Sequence, residues 1–203
     1  MSPHDDRRAL ILRSAARVLL ERGYDRASMD EISREAGLTK PGLYYHFRSK
    51  TELLFAVMTF AMDELERETF AAMAQATTPL EKLRAILHTH AWLITRERDR
   101  AFTLLITTEL GSLEPEDRRV VVQRLRSYRR LIQTTLEQLA AEGGLRPGTD
   151  PTVAAHTLMG MVAWLSFWYR AEGPLEGAAV AVMVTRMALA SAIPDGHREA
   201  MEA

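Results

Sequence analysis

Apolar residues recur along this chain at intervals of three and four, and no stretch alternates apolar with polar positions long enough to make a strand. Over residues 50–74, Leu53, Leu54, Val57, Met58, Ala61, Met62 and Leu65 form one stripe, with Asp63, Glu64, Glu66 and Arg67 beside it. Val121, Leu125, Tyr128, Ile132, Leu136 and Leu139 repeat the period on a second long segment. The predicted fold is all-α.

Start and stop signals cut the string into elements. Ser28-Met29-Asp30-Glu31, Ser49-Lys50-Thr51-Glu52 and Thr78-Pro79-Leu80-Glu81 each fit a capping box, in which a hydroxyl accepts an orphan N–H and the glutamate reaches back. Pro79, Pro115, Pro151 and Pro174 suit a first helical turn, and Gly23, Gly37, Gly143 and Gly173 suit helix ends. The expected helices are 5–22, 29–36, 40–46, 50–74, 79–97, 100–111, 115–142, 151–170 and 175–192, about nine in all. A three-helix head over residues 1–49 is expected to precede a body over 50–203, with the helix from Lys50 as the hinge.

Residues 29–47 carry the clearest chemistry. Two short helices are separated by Ala36-Gly37-Leu38, a tight turn in which glycine removes the Cβ penalty. The second, Thr39 to Phe47, contains Pro41 and Gly42, poor helix formers, and many hydrogen-bonding side chains. In helix-turn-helix readers this helix enters the major groove. Thr39 and Lys40 can supply donors, and Gly42 lets backbone approach the duplex. Tyr44, Tyr45 and His46 can reach base edges or a thymine methyl. Ser28 and Lys50, each at a helix start, can hold phosphate. Tyr44 and His46 also admit a reading as packing residues of the head. Leu43 and Phe47 belong to the core, where Val18, Ile32 and Ala36 can close on them.

Met29-Asp30-Glu31-Ile32, then Ala36 to Phe47, then Ser49-Lys50-Thr51-Glu52-Leu53-Leu54 resemble the N-terminal signature of the tetracycline-repressor (TetR) family. The resemblance implies a cytoplasmic homodimer, a double-stranded palindromic operator, and a small-molecule effector whose binding in the body releases DNA. It implies phosphate or base contacts at Ser28, Thr39, Lys40, Gly42, Tyr44, Tyr45, His46 and Lys50. The run Trp164 to Arg170 followed by Gly173-Pro174-Leu175 resembles the subset answering to acyl-CoA thioesters, although Ala171 stands where many members have proline. That likeness implies an acyl-CoA or similarly amphipathic effector, with arginines such as Arg126, Arg129 or Arg130 near its phosphates.

Charge sharpens the division. The chain has 26 Lys/Arg and 27 Asp/Glu, but the first fifty residues hold ten basic and seven acidic side chains, leaving sixteen and twenty for the rest. A basic head on an acidic body is expected if only one end meets phosphate. With no cysteine, thiolate zinc sites and cysteine nucleophiles are excluded. The N-terminal residues do not read as a secretory signal. Pro151 to Tyr169 lacks charge for 19 residues but is diluted by Thr152, His156, Thr157, Gly160 and Ser166, and reads as a buried bundle helix with His156 in the core.

In the body, His88, Trp92, Phe102, Ile106, Glu109, Tyr128, Arg129 and Phe167 are the candidate ligand contacts, each equally readable as ordinary core. Met161, Trp164, Trp168, Val180, Met183 and Met187 present more apolar surface than one chain needs, which points to a homodimer. No enzyme signature is found: no Gly-rich phosphate loop, His-Glu-x-x-His or Gly-x-Ser-x-Gly. His88 and His90 fall on different helix faces, so no shared metal site is expected, and no cofactor is expected. A helical interaction scaffold without DNA binding is the alternative reading.

Overall fold

Ser28 and Thr78 each open a helix by accepting the N–H of the glutamate three residues on, while that glutamate accepts the cap residue's own N–H. The third expected box is rearranged: Ser49 Oγ accepts the Glu52 amide, but the Glu52 carboxylate takes the Arg48 N–H at 2.7 Å. The computed structural model describes residues 3–194, without the side chains of residues 3–6 and 97–99.

The described helices are α1 (Pro3–Arg22), α2 (Met29–Glu35), α3 (Lys40–His46), α4 (Lys50–Met73), α5 (Pro79–Thr95), α6 (Glu97–Thr108), α7 (Pro115–Ala141), α8 (Pro151–Ala163), α9 (Leu165–Trp168) and α10 (Gly177–Ala192), with a 3₁₀ turn at Leu110–Ser112. No strand occurs among the described residues. Pro79, Pro115 and Pro151 each stand first in a helix, as expected. Pro174 does not; it lies in the turn before α10, whose cap is Glu176. The helix expected over 151–170 is interrupted at Trp164. There the Phe167 N–H bonds back three residues to the Trp164 carbonyl, and Ser166 Oγ donates to the Ala163 carbonyl at 2.7 Å, so the serine hydroxyl takes an acceptor that a continuous helix would use.

Two compact units result. The described residues up to Asp63 pack with Arg98–Gln123. Here Ile11, Leu12, Leu19, Ile32, Leu43 and Phe47 are fully buried, and the expected core members Val18 and Ala36 are buried with them. Gly37, at φ 65°, makes the turn between α2 and α3 without steric cost. Arg8 lies over the Phe47 ring and Arg13 over Phe60, which is tilted against Phe102.

The second unit joins Glu64–Glu97 with the described residues from Arg124 onward. Helix α5 packs on α8, α9 and α10 around Leu83, Ile86, Leu87, Ile94, Ile132, Leu136, Leu158, Val162 and Leu189. Arg124 holds Glu66 through two hydrogen bonds, and Arg96 pairs with Glu68. His156 corrects its expected place: it is exposed, with Nδ1 against the Thr152 carbonyl at 2.9 Å. No helix among the described residues is long and apolar enough to cross a membrane.

Candidate nucleic-acid interface

Helix α3 is held from below and open above. Leu43 is buried within it and Phe47 directly after it, while Tyr44 keeps 43% of its surface exposed and Tyr45 86%. The helix starts because Thr39 Oγ1 accepts the Gly42 N–H at 3.2 Å and Pro41 needs no such partner. A Cβ on Gly42 would stand 3.2 Å from that same Thr39 oxygen, so glycine also serves the cap itself. His46 is half-buried and meets the Tyr45 ring edge-on at 5.3 Å.

Lys40 Nζ lies 2.9 Å from Asp30 Oδ1, tying α3 to α2, and this hydrogen bond raises the lysine above its usual pKa. Both side chains are more than half exposed, so solvent screens the pair and it can be exchanged for phosphate at little cost. Lys40 therefore remains charged and close to any groove that α3 enters.

Two residues expected at phosphate do other work in the free protein. Ser28 Oγ donates to Glu31 Oε2 and accepts the Glu31 N–H; the hydroxyl bond first, then the Ser28 N–H on the same carboxylate oxygen, holds the Glu31 carboxyl below its usual range. Lys50 Nζ donates to the carbonyls of Tyr24, Asp25 and Ala27 at 2.6, 3.2 and 3.0 Å, and sits 4.4 Å from the Tyr24 ring centroid. An ammonium has three donors, and these three carbonyls match them. Tyr24 Oη and Thr51 Oγ1 meet at 2.8 Å beside it. The first turn of α4 is thus clamped to the loop between α1 and α2. The cue available in the sequence was Lys50 at a helix start; its partners, 23 to 26 residues upstream, form no local pattern.

The candidate effector residues separate. Phe102, buried, and Ile106 and Glu109, half-buried, belong to the first unit; Glu109 Oε2 accepts from Ser112 Oγ. His88, Trp92, Tyr128, Arg129 and Phe167 belong to the second. His88 lines a groove with residues of α4, α5 and α10. Desolvation, then the charge of Arg84, lowers its imidazole pKa. His90, on another face of α5, was not among the candidates. Burial pushes it down to about 4, and its ring meets Tyr128 edge-on at 5.6 Å. Tyr128 itself is raised by burial and lies 3.5 Å from Thr69 Oγ1. A histidine on an apolar helix carries no signal of this contact in sequence.

Of the candidate dimer residues, Trp164, Trp168, Met183 and Met187 are exposed and Met161 is half-buried. Trp164 stacks on Phe167, centroids 4.9 Å apart. Val180 corrects the expected face: at 1% exposure it is a core residue of its own chain and offers no surface to a partner. Among the described residues, no three His, Asp or Glu side chains are placed to hold a metal.

A small closed core that displays a short polar helix after a glycine turn defines a helix-turn-helix DNA-binding regulator. Residues 11–57 match the bacterial regulatory proteins of the tetR family, and residues 76–192 match the tetracyclin repressor-like C-terminal domain. The chain belongs to the TetR family. It is 43% identical over 83 residues to the HTH-type transcriptional activator FasR of Mycolicibacterium smegmatis, a match covering 41% of this chain and 38% of that protein. It is 28% identical over 179 residues to the HTH-type transcriptional repressor KstR2 of the same species, covering 84% and 82%. Among solved structures, AibR in complex with isovaleryl coenzyme A and operator DNA is similar at a TM-score of 0.79 and 34% identity, covering 89% of this chain and 97% of that one.

Proposed function

We propose that this protein is a cytoplasmic transcriptional repressor without catalytic activity, binding a palindromic operator as a homodimer and released by a small hydrophobic effector of the acyl-CoA class. The observation that carries the DNA reading is the open face of α3 on a closed core. The effector class is supported by the likeness to AibR, which holds both isovaleryl coenzyme A and operator DNA.

In this reading residues 1–49 are the DNA-binding domain and 50–203 the ligand-binding and dimerisation domain. Thr39, Lys40, Gly42, Tyr44, Tyr45 and His46 face the groove. Ser28 and Lys50 set the backbone that presents them, which is what their internal hydrogen bonds favour. The exposed Trp164, Trp168, Met183 and Met187 meet a second copy, with Met161 beside them, so that two heads address two half-sites. Effector contacts come from the body, with His88, Trp92, Phe102, Ile106, Glu109, Tyr128, Arg129 and Phe167 the candidates. To release DNA, the effector must prefer the spacing of heads that does not fit the operator.

Selection from random duplex DNA tests the reading. A palindrome is expected from the wild-type protein, and Tyr44→Ala or Tyr45→Ala is expected to cost about 1–3 kcal/mol on it. No enrichment at low salt would favour a helical scaffold that binds no DNA.

A further inference from the structure

The second unit carries a groove of about 830 Å³, formed by the C-terminal part of α4 and its exit, α5 and α10. Ala72, Ala76 and Ala85 line it with short side chains, and Arg84, His88 and Arg186 bring nitrogen donors to it from α5 and α10. Its size falls within the range of about 300–1,000 Å³ usual for small-molecule sites.

Its electrostatics favour an anion. Its lining holds two guanidiniums and one carboxylate, Glu81, whose Oε2 accepts the Thr77 N–H, the Thr77 hydroxyl and the Thr78 N–H. These bonds, the Thr77 N–H first, hold Glu81 below the usual carboxylate range. Planar guanidiniums match phosphate oxygens in pairs, which ammonium groups do not. Thr89 and Gln75 add polar lining, and the half-buried His88 sits beside Arg84 as a neutral donor or acceptor.

From this convergence we infer that the groove between α4, α5 and α10 binds the phosphorylated end of a nucleotide-bearing effector, with Arg84 and Arg186 as its phosphate contacts. The inference rests on the acyl-CoA reading and adds where the coenzyme's charge is held. Arg126, Arg129 and Arg130, expected near the phosphates from the sequence, lie on α7, which contributes nothing to this lining.

Titration calorimetry on the full chain separates the two statements. The probes are isovaleryl-CoA, free coenzyme A, and the isovaleryl thioester of N-acetylcysteamine, which has no phosphate. Arg84→Ala with Arg186→Ala is expected to weaken isovaleryl-CoA and free coenzyme A by about tenfold or more, and to leave the N-acetylcysteamine thioester unchanged. Arg84→Lys with Arg186→Lys should recover only part of the loss. Unchanged thermal midpoint and operator binding in the alanine variant keep misfolding apart from lost contact; if it misfolds, the lysine variant alone decides, by its partial loss. Isovaleryl-CoA bound equally by all variants overturns the groove while leaving the effector reading intact. If no acyl-CoA binds but free coenzyme A binds in an Arg84- and Arg186-dependent way, the effector reading falls and the groove stands. Failure of every phosphate-bearing probe overturns both.

Discussion

The reading head and the second unit distribute polarity in opposite ways. In the head, Ile11, Leu12, Leu19, Ile32, Leu43 and Phe47 close a core, and what α3 turns outward is hydroxyl, amine and imidazole. In the second unit, Trp164, Phe167, Trp168, Met183 and Met187 face outward, while Tyr128 and Thr69 are buried and His90 is half-buried against the Tyr128 ring. The first unit, to which the head belongs, closes a core and displays chemistry. The second unit leaves apolar area uncovered, a cost that association relieves, and buries groups that prefer water.

The strongest way to break this contrast is to open the head's core. Phe47 is large and 1% exposed, so Phe47→Ala should cost about 3–5 kcal/mol by loss of transfer energy and the cavity left behind. Urea unfolding measures it, and operator binding should vanish at every salt concentration. Trp168→Ala, on an exposed side chain, should leave folding of the single chain within about 0.5 kcal/mol and instead weaken self-association in sedimentation. Equal effects of the two substitutions would erase the distinction.

Next in size is the pH response of the second unit. The folded His90 pKa of about 4 lies below the ordinary 6.5, so between those values the unfolded chain binds a proton that the folded chain refuses. Stability is then complete above pH 6.5 and declines as pH falls toward 4, by on the order of 3 kcal/mol at most. His88, lowered by desolvation and Arg84, adds in the same direction. His90→Leu should remove most of this slope when unfolding is compared at pH 7.5 and 4.5. A slope unchanged by that substitution would mean that His90 is not the group that resists protonation.

Lys50 and Lys40 sharpen the comparison inside the head. Lys50→Met removes three hydrogen bonds to carbonyls, each worth about 1 kcal/mol or somewhat more because the donor is charged. It should lower stability and weaken all DNA sequences alike, without changing how steeply affinity falls with salt. Lys40→Ala should do the reverse, sparing stability and reducing that slope by about one. A reduced slope for Lys50→Met would return that lysine to the phosphate.

What the sequence disclosed was whatever is written locally. Capping boxes at Ser28 and Thr78, first-turn prolines and the apolar period placed most helices, and the glycine turn before Thr39 marked the reading helix. Long-range partners had no such signature. The three carbonyls around Lys50, the Tyr128 ring beside His90 and the burial of Val180 depend on which helix faces meet, and residue spacing alone does not encode that. The interruption at Trp164 lies between these cases. Ser166 was visible, but its hydroxyl competes with the backbone only once the Phe167 amide has shifted to a nearer carbonyl.

The smallest expected effect is the most discriminating, because the same device occurs on both sides of the contrast. Ser28 with Glu31 and Thr78 with Glu81 are complete capping boxes, so Ser28→Ala and Thr78→Ala should each cost about 1 kcal/mol of stability. Their functional readouts should differ. Helix α2, which Ser28 opens, holds Asp30 against Lys40 and buries Ile32 in the head; fraying its first turn loosens the platform under α3 and should weaken operator binding by a few-fold. Thr78 opens α5 and bonds the Glu81 carboxylate whose charge lies in the groove. Thr78→Ala keeps that N–H bond to the carboxylate but removes the hydroxyl that accepts the Glu81 N–H, so it frays the first turn of α5 beside the groove; it should leave operator affinity untouched and weaken coenzyme A by at most a few-fold. If both substitutions move DNA affinity equally, the head is not the self-contained display that its closed core describes.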